Sequence, residues 1–383
     1  MGIISLLISS SLLAVCVLGQ TTGIEELATK NADFATRLYS TASSTSDDNV
    51  VVSTFGVTLA LATLAVGAGG TSRSELLQGI GVASVEKDRE ILLQQLRETT
   101  AQIQATGLFT SQQIEADAGF STRVKQFYDA NVQNVNYANG VMAKGSINDY
   151  VRGRTGGKVS DMVESVDPQT MAMLISAAYF TGQWQQPFNA SNTQEERFYV
   201  NKYTIVQVPM MFRSDKYYLA YDPTLKVGIL KLPCEEGMAM LVLLPNEDVD
   251  YTHIEESITG HVFRGWVAKL KKTKLEVQLP RFSLKQSNSL KMSLASLGIK
   301  EIFESNADLS GISSAEGLKL SEVVQKVAVD VDETGGSSGY ASNNFFTTLP
   351  PRLTFNRPFI FIVYHEATKC IFYIGRVVDP TKN

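Results

Sequence analysis

Apolar positions recur at helical spacing over the first part of the chain and at strand spacing over much of the rest. From Gly23 to Tyr39, the placing of Ile24, Leu27, Phe34 and Leu38 predicts an amphipathic helix. Val57–Val66 is Ala/Leu-rich and nearly all apolar, the composition of a helix buried on every side. Gly67-Ala68-Gly69-Gly70-Thr71 ends that helix, and Ser74-Glu75-Leu76-Leu77 starts another. Val85, Leu92 and Leu96 share one face of a helix over 85–99, and Ile147–Val151 reads as a helix stopped by Gly156 and Gly157. From Met171 onward the texture is that of strands. Val227–Pro233 and Met238–Pro245 are apolar runs separated by Cys234-Glu235-Glu236-Gly237, a hairpin signal. Leu275–Leu279 alternates, as does Val327–Asp332 with three inward valines, and Phe359–Val363 and Cys370–Val378 read as two strands joined by a short turn. All eleven prolines lie from Pro168 onward, which fits helices early and strands late in one continuous α+β domain.

The apolar run Met1–Gly19 carries no charge, and Val17 and Gly19 suit the −3 and −1 positions of a cleavage site. It reads as a secretory signal peptide over 1–19, followed by a single domain over 20–383; an uncleaved N-terminal anchor is the alternative. Cys16 would leave with the signal, so the mature chain keeps only Cys234 and Cys370, too few for a disulfide scaffold. With 34 Lys and Arg against 39 Asp and Glu, the net charge of −5 gives no electrostatic footprint for nucleic acid or an anionic membrane. Asn189-Ala190-Ser191 is the only N-glycosylation acceptor.

Catalytic chemistry has few places to start. The three histidines, His253, His261 and His365, form no metal-ligand pair, and no phosphate-cradling glycine loop or nucleophile elbow is present. Gly67, Gly69 and Gly70 follow a helix where a phosphate loop would follow a strand, so they read as a helix stop. No metal and no cofactor are expected, and the chain is not expected to be an enzyme. Lys269, Lys271, Lys272 and Lys274 form one basic cluster, read as a solvated helix end.

The residues from Leu353 to Pro380, LTFNRPFIFIVYHEATKCIFYIGRVVDP, resemble the terminal signature of the serpins. NVVVSTFGVTLALATLAVGAGGTSRSEL from Asn49, INDYVRGRTGGKVSDMV from Ile147, AAYFTGQWQQPF from Ala177, VPMMF from Val208, ADLSGI from Ala307 and LKLSEVVQKVAVDVDE from Leu318 are similar to further serpin segments, in serpin order. The resemblance implies three β-sheets, about nine helices and an exposed reactive loop over 335–351. It implies a secreted monomer whose partner is an extracellular serine protease or an unknown ligand. In inhibitory serpins a protease attacks the loop, and the cut loop inserts into the central sheet and traps the acyl-enzyme.

Carried onto this sequence, the resemblance pairs Arg281 with Glu333 and sets Trp184 beneath the point where the loop would insert. It also locates a sheet-opening cluster at Ser53, Gly56, Ser176 and Gln325, where serpins usually have Ser, Ser, Asn and His. Three of those four differ, so the cluster is expected to have exchanged its hydrogen-bonded network for smaller or different partners. The hinge, Glu333, Gly335, Gly336, Ser337, Ser338, Gly339 and Tyr340, departs from the Thr-or-Ser and alanine run of inhibitory members. By strand period Gly336, Ser338, Tyr340 and Ser342 would face inward after insertion. Each glycine fixed into a strand costs roughly 0.5–1 kcal/mol relative to alanine, and an inward Tyr340 overpacks at about 1–3 kcal/mol. Counting from Glu333 puts the scissile bond after Leu349, before Pro350; counting back from Pro350-Pro351 puts it between Thr347 and Thr348, with Phe345 or Phe346 nearby as a chymotrypsin-like alternative. Two readings remain: a serpin that inhibits poorly and serves as substrate, carrier or binding partner, and a working suicide inhibitor.

Overall fold

Long apolar runs with few interruptions require cover on both faces, and the architecture supplies it. The computed structural model describes residues 2–85, 88–100, 102–335 and 350–383. Five strands form a central sheet in the order β10 (Phe282–Ser289), β11 (Glu322–Val331), β4 (Ala172–Thr181), β2 (Ile103–Ser111) and β3 (Asn131–Val135). β4 is buried along almost its whole length because its two faces enter different cores. Leu174, Ala178 and Phe180 pack into the main core, while Met173, Ile175, Ala177 and Tyr179 join a second core with Ala143, Ile147 and Val151 of the helix Gly140–Arg154. That explains why its sequence reads as a nearly unbroken apolar run with no alternation.

The remaining strands form one connected sheet in the order β1 (Val50–Val52), β14 (Ile371–Val377), β13 (Phe359–His365), β8 (Met238–Pro245), β7 (Val227–Pro233), β6 (Ile205–Asp222), β9 (Lys271–Pro280) and β12 (Arg352–Thr354), with β5 (Gln194–Tyr199) also on β6. β6 pairs with β5 and β9 over its first part and with β7 from Tyr218 to Asp222. The second and third of the three expected sheets are thus two halves of one hydrogen-bonded system, joined where β6 passes between them.

The all-apolar helix is Thr54–Gly67, packed between the two sheets. Nine α-helices occur among the described residues. Leu27, Phe34 and Leu38 are fully buried on a helix that runs Gly2–Ser43, so the backbone of the first apolar run continues without a break into the amphipathic segment. Among the described residues no helix is long and apolar enough to cross a membrane.

Three expectations need correction. Helices early and strands late is too simple, because β1, β2 and β3 all lie before residue 136. β2 escaped because its IQATGLFTS run is covered on both faces and carries no period-two pattern. The helix expected from Val85 begins only at Arg89, after Asp88 takes a left-handed conformation at φ 61°. Finally, the lysine cluster straddles an element boundary: Lys269 ends the helix Gly260–Lys269, and Lys271, Lys272 and Lys274 open β9.

Candidate functional site

The strand period of β11 carries past its end. Val327, Val329 and Val331 face the main core, and Glu333, two residues on, is also buried at 8% exposure. A carboxylate so placed needs partners. Arg281, the single residue between β9 and β10, holds it in a fork: Nη2 donates to Oε1 at 2.7 Å and to Oε2 at 2.8 Å, and Nε donates to Oε2 at 3.2 Å. Thr193 adds a third donor at 2.5 Å. Burial pushes the Glu333 carboxyl up, but the Arg281 and Thr193 hydrogen bonds outweigh it and hold the group below the usual carboxylate range.

Trp184, 1% exposed, closes the other side. Its indole Nε1 donates to the carbonyl of Asp332 at 2.7 Å, its backbone N donates to that of Thr334 at 3.3 Å, and its backbone bridges Gly335 in parallel. Phe188 N donates to the Glu333 carbonyl at 3.2 Å. Glycine at 335 is dictated by this close approach, since a Cβ there would stand 2.7 Å from the Trp184 carbonyl oxygen and 2.8 Å from Pro187 Cβ. Asp332, Glu333, Thr334 and Gly335 are thereby docked residue by residue.

Below this point the central sheet is shut. β11 and β4 pair directly and in parallel, from Glu322 opposite Met173 to Asp330 opposite Thr181. A loop strand could enter between them only if those hydrogen bonds broke.

Under the seam the four cluster residues come together. Gln325, fully buried on β11, accepts from Ser53 N at 3.1 Å and donates to Ser53 O at 2.7 Å, so one amide bonds both backbone groups of the residue at the N-cap of Thr54–Gly67, whose carbonyl also accepts from Val57 N at 3.1 Å. The network is rebuilt around a longer side chain. Gly56 completes the fit: a Cβ at this position would lie 2.8 Å from Ser53 Oγ and 2.9 Å from Ser176 Oγ.

Gly336, Ser337, Ser338, Gly339, Tyr340, Phe346, Thr347, Thr348 and Leu349 lie outside the described residues. The chain is described again at Pro350, and Pro351 O accepts from Glu276 N at 3.0 Å. β12 then runs parallel to β9, with Arg352 on Glu276 at 2.7 Å. This second anchor and Thr193 were missed from the sequence. Arg352 and Glu276 sit on different strands with no spacing to link them, and nothing local marks Thr193. Asn189 is half-buried, its Oδ1 accepting from Ser191 N at 3.0 Å and Ser191 Oγ at 2.8 Å. Among the described residues no group of three His, Cys, Asp or Glu side chains is placed to hold a metal ion.

Two anchored ends and a closed parallel seam are features with known counterparts. A family model described as Serpin (serine protease inhibitor) matches residues 29–380. The chain belongs to the serpin family. It is 33% identical over 364 residues to the plasma serine protease inhibitor of Homo sapiens, covering 91% of this chain and 89% of that one. To the protein Z-dependent protease inhibitor of Mus musculus it is 30% identical over 370 residues, covering 93% and 83%. The crystal structure of the mouse protein Z-dependent protease inhibitor superposes at a TM-score of 0.88 and 28% identity, covering 94% of this chain and 99% of that one. Human thyroxine-binding globulin complexed with thyroxine superposes at 0.87 and 27%, with the same coverage. The fold is the serpin fold, and its family includes protease inhibitors.

Proposed function

We propose that this serpin is exported, presents residues 335–351 as an exposed loop to extracellular serine proteases, and is cut there more readily than it traps the enzyme. In this reading the chain catalyses nothing itself, binds its partner as a monomer, and begins near Gln20 after removal of residues 1–19. The observation that carries it is the composition of the hinge that leaves the docked Gly335. If the chain turns back directly after that residue, Gly336, Ser338, Tyr340 and Ser342 descend the core face past Val331, Val329, Val327 and Gln325. Tyr340 then falls beside Val327 and its β4 neighbour Ala178, a pair now in direct register with no phenol-sized space between them. Trapping is a race between insertion and hydrolysis of the acyl-enzyme, and about 2 kcal/mol at the insertion barrier slows insertion more than roughly tenfold.

The second reading, a suicide inhibitor, draws on the complete docking of Glu333 and Trp184 and on relatives named as protease inhibitors. Incubation with chymotrypsin, elastase and trypsin separates the two. A cut loop with little covalent complex surviving SDS is expected; near-stoichiometric complex would favour the inhibitor.

A further inference from the structure

A cavity of ≈ 290 Å³ lies behind the residues that dock the hinge. Its apolar walls are Trp184, Phe188, Tyr217 and Tyr218, and its charged groups are Arg213, Lys216 and Lys272 against one carboxylate, Asp215. The volume is near the lower end of the ~300–1,000 Å³ range of ligand pockets, enough for one fused two-ring body. Arg213 is 7% exposed and two of its three nitrogens are committed: Nη1 donates to Gln186 O at 2.5 Å, and Nη2 donates to Gln186 Oε1 at 2.8 Å and to Asp215. Its Nε–H has no hydrogen-bond partner among the described residues, a rare condition for a buried charged group. Since Arg213 already takes up Asp215, the exposed Lys216 and Lys272 leave the cavity with a surplus of positive charge. Lys231 at 4.4 Å and Lys272 at 5.9 Å also stand over the Tyr218 ring.

We propose that this cavity is a binding site for a small aromatic carboxylate, and that its occupancy is coupled to the docked position of residues 332–335. The ring lies among the four aromatic walls, and the carboxylate accepts from Arg213 Nε and faces the two lysines. Coupling follows from shared parts: Trp184 and Phe188, two of the walls, donate the hydrogen bonds that hold Asp332, Glu333 and Thr334. A ligand that fixes those walls stabilises the docked hinge, and by linkage a docked hinge tightens the ligand. The site holds whether the loop traps proteases or is only cut by them.

Calorimetric titration with indole-3-acetate tests it. Sub-millimolar binding is expected, with indole-3-acetamide at least tenfold weaker. Lys216→Gln/Lys272→Gln alters only exposed side chains and should weaken the acid severalfold, and Arg213→Met should abolish its binding if that variant folds. Glu333→Ala, outside the cavity, should weaken it severalfold through the hinge alone. No binding at millimolar concentration, equal affinity for acid and amide, or an unchanged lysine double variant would overturn the site. Unchanged affinity in Glu333→Ala would overturn the coupling.

Discussion

Two buried carboxylates show how partners decide a residue's behaviour. At Glu333 the Arg281 fork wins and the carboxyl is held low. At Glu255 burial wins and pushes the carboxyl up, although Tyr39 donates to one oxygen and Arg376 Nη1 to the other at 2.7 Å. The signs for stability are opposite. The depressed Glu333 contributes stability that is fully present above the ordinary carboxylate value and lost as pH falls through its own. The raised Glu255 makes stability fall as pH rises from the ordinary value to its own. Glu333→Ala should therefore cost about 1–3 kcal/mol at pH 7, with the gap to wild type closing below about pH 4. Urea unfolding of both proteins at several pH values checks this, and a gap independent of pH would contradict the assignment. The thiols of Cys234 and Cys370 are free, buried and pushed up by that burial, so both should resist alkylation until the chain unfolds.

Between elements, the Gln325 side chain hydrogen-bonds β11 to the residue that starts the helix beneath it. Replacing Gln325 with Leu leaves the buried Ser53 N without its acceptor, while Ser53 O keeps the bond from Val57 N at 3.1 Å, and should cost about 1–3 kcal/mol. It should also let an added peptide with the sequence of residues 336–349 insert faster between β11 and β4, since the anchor resists their separation. A variant as stable and as slow as wild type would show the amide to be dispensable. This contact was not legible in the sequence: the family resemblance led to the four positions, but only the folded distance from Gln325 to Ser53 shows that a glutamine spans what shorter residues leave open. The alternating valines of β11 and the apolar helix Thr54–Gly67 were legible, because each has one period and one environment. β2 was not, since cover on both faces erases alternation. The fork on Glu333 came through the resemblance, whereas Thr193 was hidden, because a hydroxyl that meets a carboxylate across 140 residues leaves no local pattern.

At the scale of the whole molecule, the account rests on a closed five-stranded sheet and the loop strand that would complete it. Both ends of the loop are anchored, at Gly335 on Trp184 and at Pro351 on Glu276, and the seam between β11 and β4 is fully paired. Completing the sheet would release the strain for which inhibitory serpins are built. In the proposed reading Gly336, Gly339 and an inward Tyr340 would oppose it by roughly 2–5 kcal/mol. Gly336→Thr with Tyr340→Ala removes the phenol and one of the glycines and should restore part of the stabilisation on cleavage. The most direct test is the thermal melting of wild-type protein before and after complete cleavage within residues 336–349. The account predicts that the cut protein melts within a few degrees of the intact one; a rise of tens of degrees would mean that the loop inserts freely, and would contradict it.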